Sequence, residues 1–188
     1  MINNYLPGTN IQMDLQGGQD YRRVFDTAFA IMGGIYLSQL AEMVGVPGAT
    51  LQNWVKRGFV ASPVNKRYTC RQTCRMILIA LLRHTLPLED ITALLSSINN
   101  DLADEQDDLI DDSKLYLYFC DVVLPLPPGG YFDIPELKRR ISAVTAGFTG
   151  ASAADLERLN RVLLVMVLAY GSWQLQQQAE NLLNGIKS

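Results

Sequence analysis

The chain is poor in the residues that carry most enzyme chemistry. Its 188 residues include a single histidine, His84, and only three cysteines, Cys70, Cys74 and Cys120. One histidine leaves no pair for a histidine metal site, and His84 reads as a helix-terminal residue, not a catalyst. An odd number of cysteines argues against a disulfide framework and fits a reducing cytoplasm. Cys70 and Cys74 lie four apart on a predicted helix, a spacing that thiolate ligands use, and Cys120 could supply a third. Packing of small apolar residues accounts for them more simply, so no metal is expected. No phosphate loop, nucleophile motif or metalloprotease spacing occurs, so neither an enzyme nor a cofactor is expected. Long apolar runs are also missing. The most apolar stretch, Val162 to Leu175, is interrupted by Gly171 and Ser172 and is shorter than the roughly 20 residues a bilayer demands. Met1 to Gly18 has neither the basic start nor the apolar centre of a secretory signal, so a cytoplasmic protein away from membranes is expected.

What is present is a hydrophobic fraction of 48%, ample for a folded core, and a marked segregation of charge. The formal net charge is only -3. Between Tyr36 and Thr85, however, stand seven cations (Lys56, Arg57, Lys66, Arg67, Arg71, Arg75 and Arg83) and a single acid, Glu42. From Asp101 to Asp121 the sign reverses, with Lys114 the only cation. A local basic segment points to a local anionic partner, because nearby charge sets the field at a surface. The acidic run from Asp101 to Asp112 reads as a solvated linker.

Periodicity predicts an all-α chain with one small β feature. Met1 to Gly18 reads as a loose lead-in. Asp20 caps a predicted helix with Val24, Phe25, Ala28 and Met32 inward, ended by Gly33-Gly34. Ser38 reads as the N-cap of a short helix from Gln39 to Val44, and Gly45 as its left-handed stop. A second short helix runs from about Pro47 to Arg57, burying Leu51 and Trp54 or Val55. Two short helices about a glycine turn make a helix-turn-helix pattern. Phe59 to Tyr68, with Pro63 and Asn65-Lys66-Arg67, reads as an extended hairpin or wing. Thr69 with Gln72 gives a capping box for the next helix, to about Arg83. Ile91, Leu94, Leu95 and Ile98 mark another.

Beyond the acidic run, helices are predicted from about Ser113 to Val123 and around Ile134 to Val144, separated by a proline- and glycine-rich loop from Leu124 to Gly130. A last long helix starts near Ser152 and Asp155, with Leu156, Leu159, Leu163, Met166, Tyr170 and Trp173 in a stripe. Its centre is apolar nearly all round, which suits a bundle interior or a dimer core. The expected division is 1–34 for the lead-in and first helix, 35–100 for the helix-turn-helix unit, and 101–188 for a helical dimerisation or regulatory part.

Tyr36 to Val46, then Thr50 to Val60, resemble the MerR-like winged helix-turn-helix, as do Lys66-Arg67-Tyr68-Thr69 and Leu88-Glu89-Asp90-Ile91. The closer similarity is to an uncharacterised MerR-like domain-of-unknown-function family of Gram-positive bacteria, through Asn53-Trp54-Val55-Lys56-Arg57-Gly58, Lys66-Arg67-Tyr68 and Leu88-Glu89-Asp90-Ile91. The resemblance implies a winged domain with a small β wing, a helical C-terminal bundle, and a transcriptional regulator that binds double-stranded DNA, usually as a homodimer. This chain departs from the MerR pattern in three ways. Gln52 stands where arginine is usual, Pro47 stands where Ser or Thr is usual, and no long dimerisation helix directly follows the DNA-binding part.

The expected contacts follow from groove chemistry. A recognition helix presents its N-terminal residues to base edges, here Thr50, Gln52 and Asn53, whose amides suit adenine and whose threonine methyl suits thymine. Lys56, Arg57, Lys66, Arg67 and Arg71 would neutralise phosphates. Tyr68 would either pack the wing or donate its hydroxyl to a phosphate. An unknown effector held by the C-terminal helices is a further expected partner. The alternative function is a protein-interaction module on the same scaffold, with incidental cations.

Overall fold

The computed structural model describes residues 5–13, 20–99, 109–127, 130–149 and 152–187. The architecture is mostly helical, with one two-stranded sheet, as the all-α expectation requires. The acids Asp101, Asp104, Glu105, Asp107 and Asp108 lie outside the described residues, as do the side chains of Val24, Ala28 and Met32. Among the described residues, no helix is long and apolar enough to cross a membrane.

Within the expected lead-in, residues 5–13 form an ordered turn, and the rest lies outside the described residues. Thr9 donates its amide to the Leu6 carbonyl across Pro7-Gly8, and Gly8 sits at φ +75°. Proline then glycine at the two central positions is the type II turn pattern, in which only the second needs positive φ. The turn buries Leu6 and Met13 and offers the Pro7 carbonyl to the hydroxyl of buried Tyr116 at 2.8 Å. Asn10 then ties the segment to the next unit, bonding the carbonyls of Glu42 and Met43.

Helix α1 (Tyr21–Met32) starts where the Asp20 carboxylate accepts the amides of Arg22 and Arg23, and stops at left-handed Gly33. Strand β1 (Ile35–Tyr36) pairs antiparallel with β2 (Arg67–Tyr68), Ile35 opposite Tyr68. Helix α2 (Leu37–Val44) begins earlier than expected, with Tyr36 and not Ser38 at its N-cap. The cause is the Gln39 side chain, which reaches back to the Tyr36 amide at 2.9 Å and leaves Ser38 inside the first turn. Gly45, at φ +65°, turns the chain into α3 (Gly48–Lys56).

Helix α4 (Cys70–Leu82) has the expected Thr69–Gln72 capping box and is buried continuously from Thr73 to Leu82. It is the axle of the fold, packing on α2, on α5 (Leu88–Ser96), on α6 (Asp112–Val123) and on the final helix. A single turn of 3-10 helix at Gly130–Phe132 leads to α7 (Ile134–Thr145), and α8 (Ala153–Lys187) closes the bundle. The inner face of α8 buries Leu159, Leu163, Met166 and Tyr170, four of the predicted stripe. Tyr170 meets Phe119 and Tyr131 edge-on at 5.6 and 5.9 Å. Leu156 and Trp173, at the ends of that stripe, are only half buried.

Candidate nucleic-acid interface

Helix α3 is amphipathic in a way that sorts its polar residues outward. Leu51 and Trp54 are buried, whereas Gln52, Asn53 and Lys56 are exposed and Thr50 is half buried. Positions 52, 53 and 56 share one face, since residues three and four apart are neighbours on a helix. No side chain caps the N-terminus of α3, which Pro47 precedes.

Beside this face lies a tight hairpin turn. Val64 and Arg67 exchange both backbone hydrogen bonds, at 3.1 and 2.9 Å. Asn65 and Lys66 between them both take positive φ, 51° and 63°. That is the two-residue turn whose twist matches paired strands. Asparagine is at home there; lysine is strained, since its Cβ meets a carbonyl oxygen in the left-handed region. The turn holds Lys66 in solvent. An open groove of about 490 Å³ runs between the two elements, with Gln52 on one wall, Lys66 and Pro63 on the other, and Tyr36, Leu37 and Ser38 at its base. The contribution of the β1–α2 junction to this groove did not emerge from the sequence; its signal would have been the pairing of Ile35-Tyr36 with Arg67-Tyr68.

The predicted phosphate contacts divide. Lys56 and Lys66 are exposed, and among the described residues neither has an ion-pair partner. Arg57 reaches Glu89 at 2.9 Å and lies 4.5 Å over the Phe59 ring. The carboxyl of Glu89 is held below its usual range by its own backbone amide at the helix start and by Arg57. Arg67 lies over the Tyr36 ring at 4.3 Å and donates to the Gly34 carbonyl at 3.1 Å, bracing the sheet. Tyr68 and Arg71 turn inward. Tyr68 is buried in the sheet, with its hydroxyl pKa raised by burial, and it also lines the groove beside Gln52 and Lys66. Arg71 keeps 13% of its side-chain exposure and faces Asp111 and Asp112 at 3.9 and 3.8 Å.

Arg75 is the extreme case. Its side chain is buried, with Nε donating to the Phe59 carbonyl at 2.8 Å and Nη1 to both Asp112 oxygens at 3.2 and 3.3 Å. Asn99 adds a third bond to Asp112 at 3.1 Å. Burial raises the Asp112 pKa even though Arg75 and Arg71 pull it down. This cluster locks the chain after α3 to the start of α6.

The cysteines show no ligand arrangement. Burial and neighbouring Cys70 raise the Cys74 thiol well above its usual value, and burial pushes Cys120 up to about 12. Among the described residues, no group of three or more His, Cys, Asp or Glu side chains could hold a metal ion. His84 stacks on Trp173 at 4.6 Å, with its pKa lowered by partial burial and by Arg83.

Residues 35–119 match the family described as a domain of unknown function, DUF1836. The chain is also 28% identical over 86 residues to an uncharacterized protein, YkrK, of Bacillus subtilis (strain 168). That alignment takes in 44% of this chain and 37% of the relative, so the chain spans well under half of the relative's length. Both matches support an uncharacterised family of Gram-positive bacteria for this region. No solved structure matches the chain.

Proposed function

We propose that residues 35–98 form a winged helix-turn-helix that reads double-stranded DNA, and that the chain is a sequence-specific transcriptional regulator acting as a homodimer. The observation that carries this reading is the exposed face of α3 beside the Lys66 turn. Gln52, Asn53 and Lys56 form one outward face, and Gln52 shares a groove with Lys66. Amide side chains near the start of an exposed helix suit adenine edges. Two flanking lysines and the uncapped amides of α3 suit phosphates. Arg67 and Tyr68 act as the frame of the wing, and Arg71 and Arg75 as the anchor behind it.

The test is a salt titration of binding to random duplex DNA by wild type and by Lys56→Ala/Lys66→Ala. Each phosphate contact contributes about 0.9 to the slope of log affinity against log salt, so the double variant should lose nearly two units of slope. A second reading, a protein-interaction module, is favoured by the engagement of Arg57, Arg71 and Arg75 within the chain. Absence of binding by folded protein at low salt would put that reading first.

A further inference from the structure

Where the Pro7-Gly8 turn lies across α4 and α8 it leaves a cleft of about 290 Å³, separate from the groove at α3. Its floor is apolar, with Leu6, Ala80 and Leu81 buried there. Its walls are aromatic: Tyr5 is exposed, Tyr170 buried and Trp173 half buried. Val44, at the end of α2, lines it as well. The cleft thus lies where the opening segment, the helix-turn-helix unit and the final helix meet, and small-molecule sites favour such junctions.

The walls are pinned in place. Gly8, at φ +75°, brings the turn so close to α4 that a Cβ there would come within 3.1 Å of Ile77 and Leu81. Tyr116 donates to the Pro7 carbonyl at 2.8 Å, and Asn10 to the Glu42 carbonyl at 2.9 Å. Across the cleft, Trp173 is held by two rings. It stacks on His84 with centroids 4.6 Å apart and 15° between the planes, and meets Tyr170 at 5.9 Å. A site already ordered in this way loses little freedom when a ligand enters.

The lining also selects what enters. Among the described residues that line the cleft, none is Asp, Glu, Lys or Arg. An ion would give up its hydration there with no opposite charge to replace it. The Thr9 hydroxyl is already engaged, donating to the Leu6 carbonyl at 3.0 Å and accepting from the Ile11 amide at 3.1 Å. Asn10 and His84 remain as polar side chains. Partial burial and Arg83 lower the His84 pKa, so at neutral pH its imidazole is uncharged and has one donor and one acceptor nitrogen. We propose that the cleft binds an uncharged, planar heteroaromatic molecule of one or two fused rings, seated among Tyr5, Tyr170 and Trp173 and hydrogen-bonded by Asn10 or His84. The volume of about 290 Å³ stands at the lower end of the roughly 300–1,000 Å³ usual for ligand sites, which limits the ligand to that size. Aromatic walls favour a ring that can stack offset or edge-on against them. The site does not depend on the DNA reading, because occupancy is measured without DNA.

Benzimidazole and indazole, both uncharged at neutral pH, are the probes, with benzimidazole-5-carboxylate as the charged control. Each is titrated into the full chain and followed by amide and indole N–H NMR signals. The chain has two tryptophans, and Trp173→Phe assigns their indole signals. The Trp173 signal should shift saturably with at least one probe, with a dissociation constant below roughly 1 mM, while that of Trp54 stays in place. The carboxylate should bind about 10-fold more weakly or not at all. Val44→Phe fills the cleft from α2, and His84→Ala removes an exposed ring from its rim. Each should weaken binding about 10-fold with the amide spectrum otherwise retained. The proposal is overturned if neither uncharged probe shifts Trp173, if the carboxylate binds as tightly, or if both variants bind like wild type.

Discussion

Replacing Lys66 by glycine should move stability and binding in opposite directions. Lys66 sits at φ 63° in the second central position of its turn. A left-handed residue other than glycine costs roughly 1–2 kcal/mol. Glycine removes that cost but adds about 0.4–1 kcal/mol of unfolded-chain entropy to be lost on folding. The expected net gain is about 0.5–1 kcal/mol. For a chain of this length, that corresponds to a rise of about 1–4 °C in unfolding midpoint. The same change deletes an exposed cation beside Gln52, which should lower the salt slope of DNA binding by about 0.9. Lys66→Ala is the companion: it keeps the left-handed strain and loses the same slope without the gain in midpoint. Thermal unfolding followed by circular dichroism and a fluorescence titration at several salt concentrations supply both readings. A lower midpoint for Lys66→Gly would refute the strain argument, and an unchanged slope would refute the phosphate contact.

Four further outcomes test the rest of the fold. Asp112→Ala should destabilise the fold by about 3–5 kcal/mol by stranding buried Arg75, whereas an apolar replacement of both partners should cost far less; chemical denaturation of the singles and the double measures the difference. Because burial raises the Asp112 pKa in the fold, Asp112 itself should stabilise the fold at pH below its unfolded value, an advantage lost as pH rises through its folded pKa. Wild type should therefore lose less stability on mild acidification than Asp112→Asn does. Gly171→Ala would set a Cβ 2.6 Å from the Tyr131 side chain, and overpacking of that kind should cost about 1–3 kcal/mol in thermal unfolding. Glu136 is held down to about 2 by Arg139 and Arg140, so its ion pairs should persist on acidification until pH approaches that value. An NMR titration in which Glu136 protonates near its ordinary 4.5 would contradict the arrangement.

Legibility in the sequence followed the range of each interaction. The Thr69–Gln72 box, the Asp20 cap, the Ser152–Asp155 contact and the Gly45 turn are settled within a few residues, so residue type and spacing reveal them. The type II turn at Pro7-Gly8 is local in the same way, carried by the proline–glycine pair itself. Ser38 misled because a serine before an apolar run looks like a cap, while the backward reach of Gln39 chose Tyr36 instead.

The candidate surface was less legible because charge was read as if it all faced water. The basic segment and the acidic segment after it partly answer each other. Arg71 and Arg75 on α4 face Asp111 and Asp112 across thirty-seven residues of chain in the closest pair. Removing those arginines from the electrostatic surface leaves Lys56 and Lys66, with exposed Arg57 already paired to Glu89, as the cations nearest Gln52 and Asn53, a smaller patch than the composition implied. A small patch on one copy gives few phosphate contacts and hence weak binding, since affinity grows with each counterion released. Two patches on the two copies of the proposed homodimer would act together at a high effective concentration. The modest charge of the surface therefore favours the homodimer of the proposed function: one copy would read too little DNA alone, and pairing would supply the rest. If so, the salt slope of duplex binding by the full chain should exceed the roughly 1.8 that Lys56 and Lys66 of one copy supply at about 0.9 each; a slope at or below that value would refute the paired reading.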